Sequence, residues 1–265
     1  MDKDKGVTMR GKSSRGLDAY CGEAEPFVAC ADLFQLLALF FHLPSRELVS
    51  GLADGSLAAD VAQILVELDS CEHSSEHSSE RESVLQLATA FEISDLAEEQ
   101  LLRLVRAEYT RLFTHPERPV IGIYESLFLY ELQGRRGERP VLFVNAAALD
   151  AERLYREAGL VRSAEFNESG DHVATQLEFA GFLLRQRAQL SAGGSSGAEG
   201  AAGAEALERD VQAMQHNSAL CEEFWARHLS KWLLPFGEHI IDEAEHPVYT
   251  VVGELCVVAA QQSIW

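Results

Sequence analysis

Asp171 and His172 stand side by side at the start of an apolar helical run, Val173-Ala174-Thr175-Gln176-Leu177-Glu178-Phe179. A carboxylate next to an imidazole is the pair that orients a base in nucleophilic catalysis. Such chemistry also needs a nucleophile, a metal or a phosphate cradle. Ser126 is the nearest candidate nucleophile, and no glycine pattern of a nucleophile elbow surrounds it. Gly193-Gly194 and Gly197 lack the Gly-Lys-Ser/Thr that completes a phosphate loop. Cys71, His73 and His77 have metal-ligand chemistry, but no second cluster completes the set. The expectation is no catalytic residue, no metal and no cofactor: a protein that holds something.

The totals fit that reading. A chain of 265 residues, 47% hydrophobic, is long enough for a sizeable core. The formal net charge is -20, although Lys3, Lys5, Arg10, Lys12 and Arg15 crowd the first sixteen residues. An acidic body repels nucleic acid and anionic lipid and suits a basic partner. Cys21, Cys30, Cys71, Cys221 and Cys256 are scattered, with no CxxC spacing, as reduced thiols of a cytosolic protein would be. The apolar stretch from Phe27 to Phe41 is too short to span a bilayer and contains Asp32 and Gln35. A soluble cytoplasmic protein without stable membrane insertion is expected.

The elements that must position these side chains read as helices. Residues 1–24, rich in glycine, serine and charge, read as a disordered tail. Residues 25–265 read as one domain, with flexible loops at 70–80, where Glu-His-Ser-Ser occurs twice, and at 191–203, a Gly/Ser/Ala linker. Pro26 suits a helix first turn, and Phe27, Ala31, Phe34, Leu37 and Phe41 follow at helical spacing. Ser45, Ser56 and Asn145 suit N-caps, Asp95 with Glu98 a capping box, and Gly159 a C-terminal stop. A helix bearing Leu101, Leu104, Val105, Tyr109 and Leu112 should end near Phe113, and a shorter one should run from Tyr124 to Leu132. Trp225, His228, Leu229, Trp232 and Phe236 share a helical register. After Pro247, β-branched content argues for a strand, but the 3.6-residue period argues for a helix. Val141-Leu142-Phe143-Val144 is the other short apolar run of strand type. The expected fold is all-α, a single bundle-like domain of about ten helices with a hinge near 114–124.

Three segments, in this order, resemble one family. Glu108-Tyr109-Thr110-Arg111-Leu112-Phe113 leads through a proline-containing loop to Tyr124-Glu125-Ser126. Tyr155-Arg156-Glu157-Ala158-Gly159-Leu160 is followed by Asp171-His172-Val173-Ala174 and Leu177-Glu178-Phe179. Phe224-Trp225-Ala226-Arg227-His228-Leu229 precedes Trp232-Leu233 and Phe236. The chain resembles the TorD/DmsD chaperones of molybdenum-containing redox enzymes from about residue 26 onward. Gly170 stands where that family usually has proline before Asp-His, and Gln176 where an acid is common.

The resemblance implies an all-helical cytoplasmic chaperone, not an enzyme. Its partner would be the twin-arginine signal peptide, or the apo form, of a molybdopterin oxidoreductase precursor. It would aid cofactor insertion and delay export. The implied peptide groove has Asp171 and Glu178 facing guanidinium groups, and His172 bonding to peptide backbone. Glu125, Ser126 and Gln176 would line it, and Tyr109, Phe113 and Tyr124 would give apolar walls or pack in the core. His228 and Trp232 lie on one helical face, set there for structural packing ahead of client contact. A soft hinge at 114–124 would permit a homodimer by domain exchange. Two alternatives stay open: an assembly adaptor for a non-exported redox enzyme subunit, and nucleotide or cofactor binding at Asp171, His172 and Ser126.

Overall fold

In the computed structural model, residues 18–71, 97–117, 119–135, 139–161, 168–193 and 201–265 are described. Among them are ten α-helices and no strand, the all-α class expected. In chain order they are α1 (Asp18–Phe40), α2 (Arg46–Ala53), α3 (Ser56–Cys71), α4 (Glu98–Tyr109), α5 (Glu125–Leu132), α6 (Ala146–Glu157), α7 (Val173–Gly193), α8 (Ala201–Arg227), α9 (Leu229–Glu243) and α10 (Pro247–Gln261). A π-helical turn, Thr110–Thr114, extends α4. No single helix among the described residues is long and apolar enough to cross a membrane.

Local chemistry explains most boundaries. The Leu48 and Ala148 amides donate to Ser45 Oγ and Asn145 Oδ1, closing the first turns of α2 and α6. Gly159 follows α6 with a φ of 79°, a conformation that suits a residue without Cβ. Pro247 occupies the first turn of α10, so period outranks β-branched content there.

Other boundaries differ from expectation. α1 begins at Asp18, ahead of Pro26; the rest of the expected tail lies outside the described residues. Ser56 is the first residue of α3 rather than its cap. Ala97 is the N-cap of α4, and Asp95 of the expected capping box lies outside the described residues. α7 runs to Gly193 and α8 starts at Ala201, so helix invades both ends of the expected linker. The expected loop at 70–80, apart from the end of α3, and residues His73 and His77 lie outside the described residues.

α1 lies along α7 as the most extensive helix pair, and α9 against α10 as the next. Gly237 and Gly253 face each other across the second pair. A Cβ on either would sit 2.7 Å or 2.8 Å from the other's carbonyl oxygen, so the two backbones touch. Phe236 centres an aromatic core, 5.4 Å from Phe41, 5.4 Å from Phe128 and 4.8 Å from Trp232 between ring centroids.

The motif at 108–113 is a structural joint. Glu108 is buried and bound by Arg111 through two bonds of 2.8 Å and 2.9 Å. It also accepts the Glu245 amide at 2.6 Å and the His246 amide at 3.2 Å. Burial opposes its ionisation, but these donors prevail and hold its carboxyl below the ordinary range. Glu108 thereby ties the end of α4 to the start of α10. Tyr109 and Phe113 are 5% and 3% exposed and belong to the core, not to the walls of a groove. The Tyr109 hydroxyl donates to the Phe41 carbonyl at 3.2 Å, and burial pushes it up to about 12.

Candidate functional site

The segments entering α5 and α7 run antiparallel for one bridge, Tyr124 to His172. The Val173 amide donates to the Ile123 carbonyl at 3.1 Å, and the Glu125 amide to the Asp171 carbonyl at 2.9 Å. This pins two helix starts together and sets which side chains meet.

The capping roles are crossed. Asp171 Oδ2 accepts the Ser126 amide at 3.2 Å and the Ser126 hydroxyl at 2.5 Å, so it caps α5 rather than its own helix. His172 Nδ1 accepts the Ala174 amide at 3.2 Å and closes the first turn of α7. An accepting Nδ1 carries no proton, which makes the ring the Nε2–H tautomer. Burial pushes His172 down to about 4, partly opposed by the carboxylate of Glu168, so the ring is neutral near pH 7.

Behind these caps lies a buried chain of hydrogen bonds. Trp232 Nε1 donates to Gln176 Oε1 at 3.0 Å, and Gln176 Nε2 donates to Glu125 Oε2 at 2.6 Å. His228 Nδ1 approaches the same oxygen at 2.7 Å, which requires the proton on Nδ1. His228 sits at the break between α8 and α9, where its φ of -122° and ψ of -90° leave the helical range. Its Nε2 faces Asp150 Oδ2 at 3.4 Å. Burial works against the Asp150 carboxylate, but hydrogen bonds from Arg227 and Arg153 outweigh it and hold the group below its ordinary range.

Almost every polar residue singled out in the sequence therefore meets in one place. That place is internal. Asp171 and Gln176 are fully buried, and Glu125, His172, His228 and Trp232 are at most 4% exposed. Asp171 and His172 are thus removed from a solvent-facing rim. The reason is that Ser126, at the start of α5, binds Asp171, and Tyr124, just before that helix, packs on His172, contacts that the local spacing around residue 171 does not reveal.

A concave surface lies beside this network. A cleft of about 510 Å³ is walled by Glu152, Tyr155 and Arg156 of α6, Leu160 and Val161 after it, Glu168 and Gly170, and Thr175, Glu178 and Phe179 of α7. Tyr155 and Phe179 meet edge to face at 4.6 Å. The Tyr155 hydroxyl donates to the Gly170 carbonyl at 2.7 Å. Gly170 has no room for a side chain: a Cβ would lie 2.7 Å from Glu152 Cγ and 2.8 Å from the Ala148 carbonyl oxygen.

Three carboxylates edge this apolar cleft. Glu178 pairs with His42 at 2.9 Å, and Glu168 accepts the Tyr124 hydroxyl at 2.6 Å. Glu178 is the one expected site residue lining the cleft, and Tyr124 reaches it through Glu168. Sequence reasoning assigned no role to Glu152, Tyr155, Glu168 or Phe179. Tyr155 and Phe179 lay within the motif segments, so a signal existed for them; none marked Glu168.

Among the described residues, no three metal-ligating side chains converge. Cys30, Cys221 and Cys256 are buried, and burial pushes the Cys221 thiol up to about 11. The fold and site define an all-helical protein in which a buried polar network lies beside an acid-edged apolar cleft. Residues 57–238 match the family described as nitrate reductase delta subunit, and the chain belongs to it. That family comprises maturation chaperones of molybdenum enzymes, the TorD type included. A search among curated proteins finds no match.

Proposed function

We propose that this chain is a cytoplasmic chaperone that binds the twin-arginine leader, or the apo form, of a molybdopterin oxidoreductase, assisting cofactor insertion and delaying export. The observation that carries this reading is the pairing of apolar walls, Tyr155, Leu160 and Phe179, with the carboxylates of Glu152, Glu168 and Glu178 in one cleft. A leader with arginines ahead of an apolar stretch complements both.

Magnitudes divide the work. An exposed arginine–carboxylate pair contributes about 0–1 kcal/mol. Burying roughly 400 Å² of apolar peptide gives about 10 kcal/mol gross, against ordering costs of about 2–5 kcal/mol and a further cost of association. Apolar contact supplies affinity, and the acids supply orientation and encounter rate. The buried network needs no substrate; it fixes the cleft walls. Calorimetric titration with the client's leader and with its apo form tests the reading, and absence of binding by both overturns it.

The family description favours a second reading: an assembly adaptor for a redox enzyme subunit that is not exported. Capture from the native host of a client lacking any twin-arginine leader supports that alternative and excludes the first.

A further inference from the structure

We propose that the chain's own basic segment, residues 3–7, folds back into the cleft and competes there with any client. The proposal deepens the peptide-binding reading above: it concerns regulation of the same cleft, by an occupant that the chain carries itself.

Charge pattern is the first argument. The described chain begins at Asp18, and the residues ahead of it include Lys3, Asp4, Lys5, Gly6 and Val7. The cleft is not uniformly acidic. Glu152, Glu168 and Glu178 edge it, and Arg156 stands among them, one helical turn from Glu152 on α6. A purely cationic ligand leaves that guanidinium opposed. Lys3-Asp4-Lys5 places an anion between two cations. In an extended segment successive side chains point to opposite sides, so the two lysines share one side and Asp4 takes the other. Asp4 turned towards Arg156 directs both lysines to Glu168 and Glu178. Val7 follows and meets the apolar wall of Tyr155, Leu160 and Phe179.

Reach is the second argument. α1 runs antiparallel to α7: Arg187 lies 5.0 Å over the Phe27 ring, Arg185 donates to Asp32 at 2.7 Å, and Gln35 Nε2 donates to the Glu178 carbonyl at 3.1 Å. The cleft is therefore level with Gln35, and the α1 axis from Asp18 to that level is about 26 Å long. Passing the width of α7 adds about 10–12 Å. An extended chain covers roughly 3.3–3.6 Å per residue. Arg15, Lys12 and Arg10 lie too close to Asp18 to complete that path. Val7 just completes it, and Lys5 and Lys3 do so with slack.

Tethering is the third. An exposed lysine–carboxylate pair is weak, but a tethered segment is present at a local concentration of the order of millimolar. Weak contacts then fill the cleft for much of the time.

The test joins touching amines and carboxylates of the full chain with a carbodiimide and locates the joined pairs by mass spectrometry of the monomer band. The expected product links Lys3 or Lys5 to Glu152, Glu168 or Glu178, and it fades at about 1 M salt. Alongside, a K3S/K5S chain and the unaltered chain are titrated with a synthetic peptide of two arginines and a short apolar run. The K3S/K5S chain should bind about threefold tighter, the gain expected if the segment holds the cleft roughly two-thirds of the time. Lysines joined only to carboxylates outside the cleft, or joined only between two copies of the chain, overturn the inference. So does equal, measurable affinity of the two chains for the peptide. If neither chain binds the peptide while Lys3 or Lys5 still joins a cleft carboxylate, the inference stands and the leader reading loses its support.

Discussion

The junction where α5 meets α7 and the cleft beside it use similar side chains to opposite ends. At the junction, Glu125, Asp171, Gln176 and His228 are sealed from water and bonded to one another or to helix starts. At the cleft, Glu178 and Glu168 each hold one partner while facing an open apolar surface. A carboxylate in the first setting is costly to disturb, because its partners would stay buried and unsatisfied. In the second it can trade a protein partner or water for a ligand's charge at small cost. Acidic residues near one another in this fold therefore divide into those locked into the interior and those left open at the cleft.

The largest test of that division is Glu125→Ala. It strands Gln176 Nε2 and His228 Nδ1 in the interior, and should cost about 3–5 kcal/mol of stability in thermal or urea unfolding. A loss below roughly 1 kcal/mol would show that the junction is not the brace described.

A smaller effect comes from His172. The unfolded side chain titrates near 6.5 and the folded one near 4. Between those values the unfolded chain binds the extra proton, so stability falls as pH drops from 6.5 towards 4. The expected loss is roughly 2–3 kcal/mol. His172→Gln keeps an acceptor for the Ala174 amide and should flatten that part of the pH–stability curve, measured against the unaltered protein.

The smallest effect belongs to the cleft. Glu178→Gln and Glu168→Gln should each leave stability within about 1 kcal/mol. Each should slow association with an arginine-bearing leader a few-fold, most visibly at low salt, in stopped-flow measurements. If Glu178→Gln unfolds the protein, or Glu125→Ala is the change that slows association, the division fails.

Much of the architecture was legible because its signals are local. Ser45, Asn145, Gly159 and Pro247 act within one helical turn of themselves, and each is found at the helix end it marked. The π-helical turn at 110–114 carried no such mark. The polar residues of the site were also legible as a set, since the motif order brought Glu125, Asp171, Gln176, His228 and Trp232 into view together. Their burial was not. Whether Asp171 faces water depends on Ser126, 45 positions earlier, and the fate of Glu125 depends on His228, 103 positions later. Local periodicity marks which face of a helix is polar; it does not report that another helix lies upon that face.

Glu108 has a consequence for how the chain becomes a bundle. Its carboxylate takes amides from residues 137 and 138 positions further on. The Tyr249 hydroxyl likewise donates to the Phe40 carbonyl across 209 positions. Neither closure can form while those later residues are still inside a ribosome. The contacts that tie α10 to α4 and to α1 therefore close only late in synthesis, which places the last helix among the final pieces of the bundle to lock.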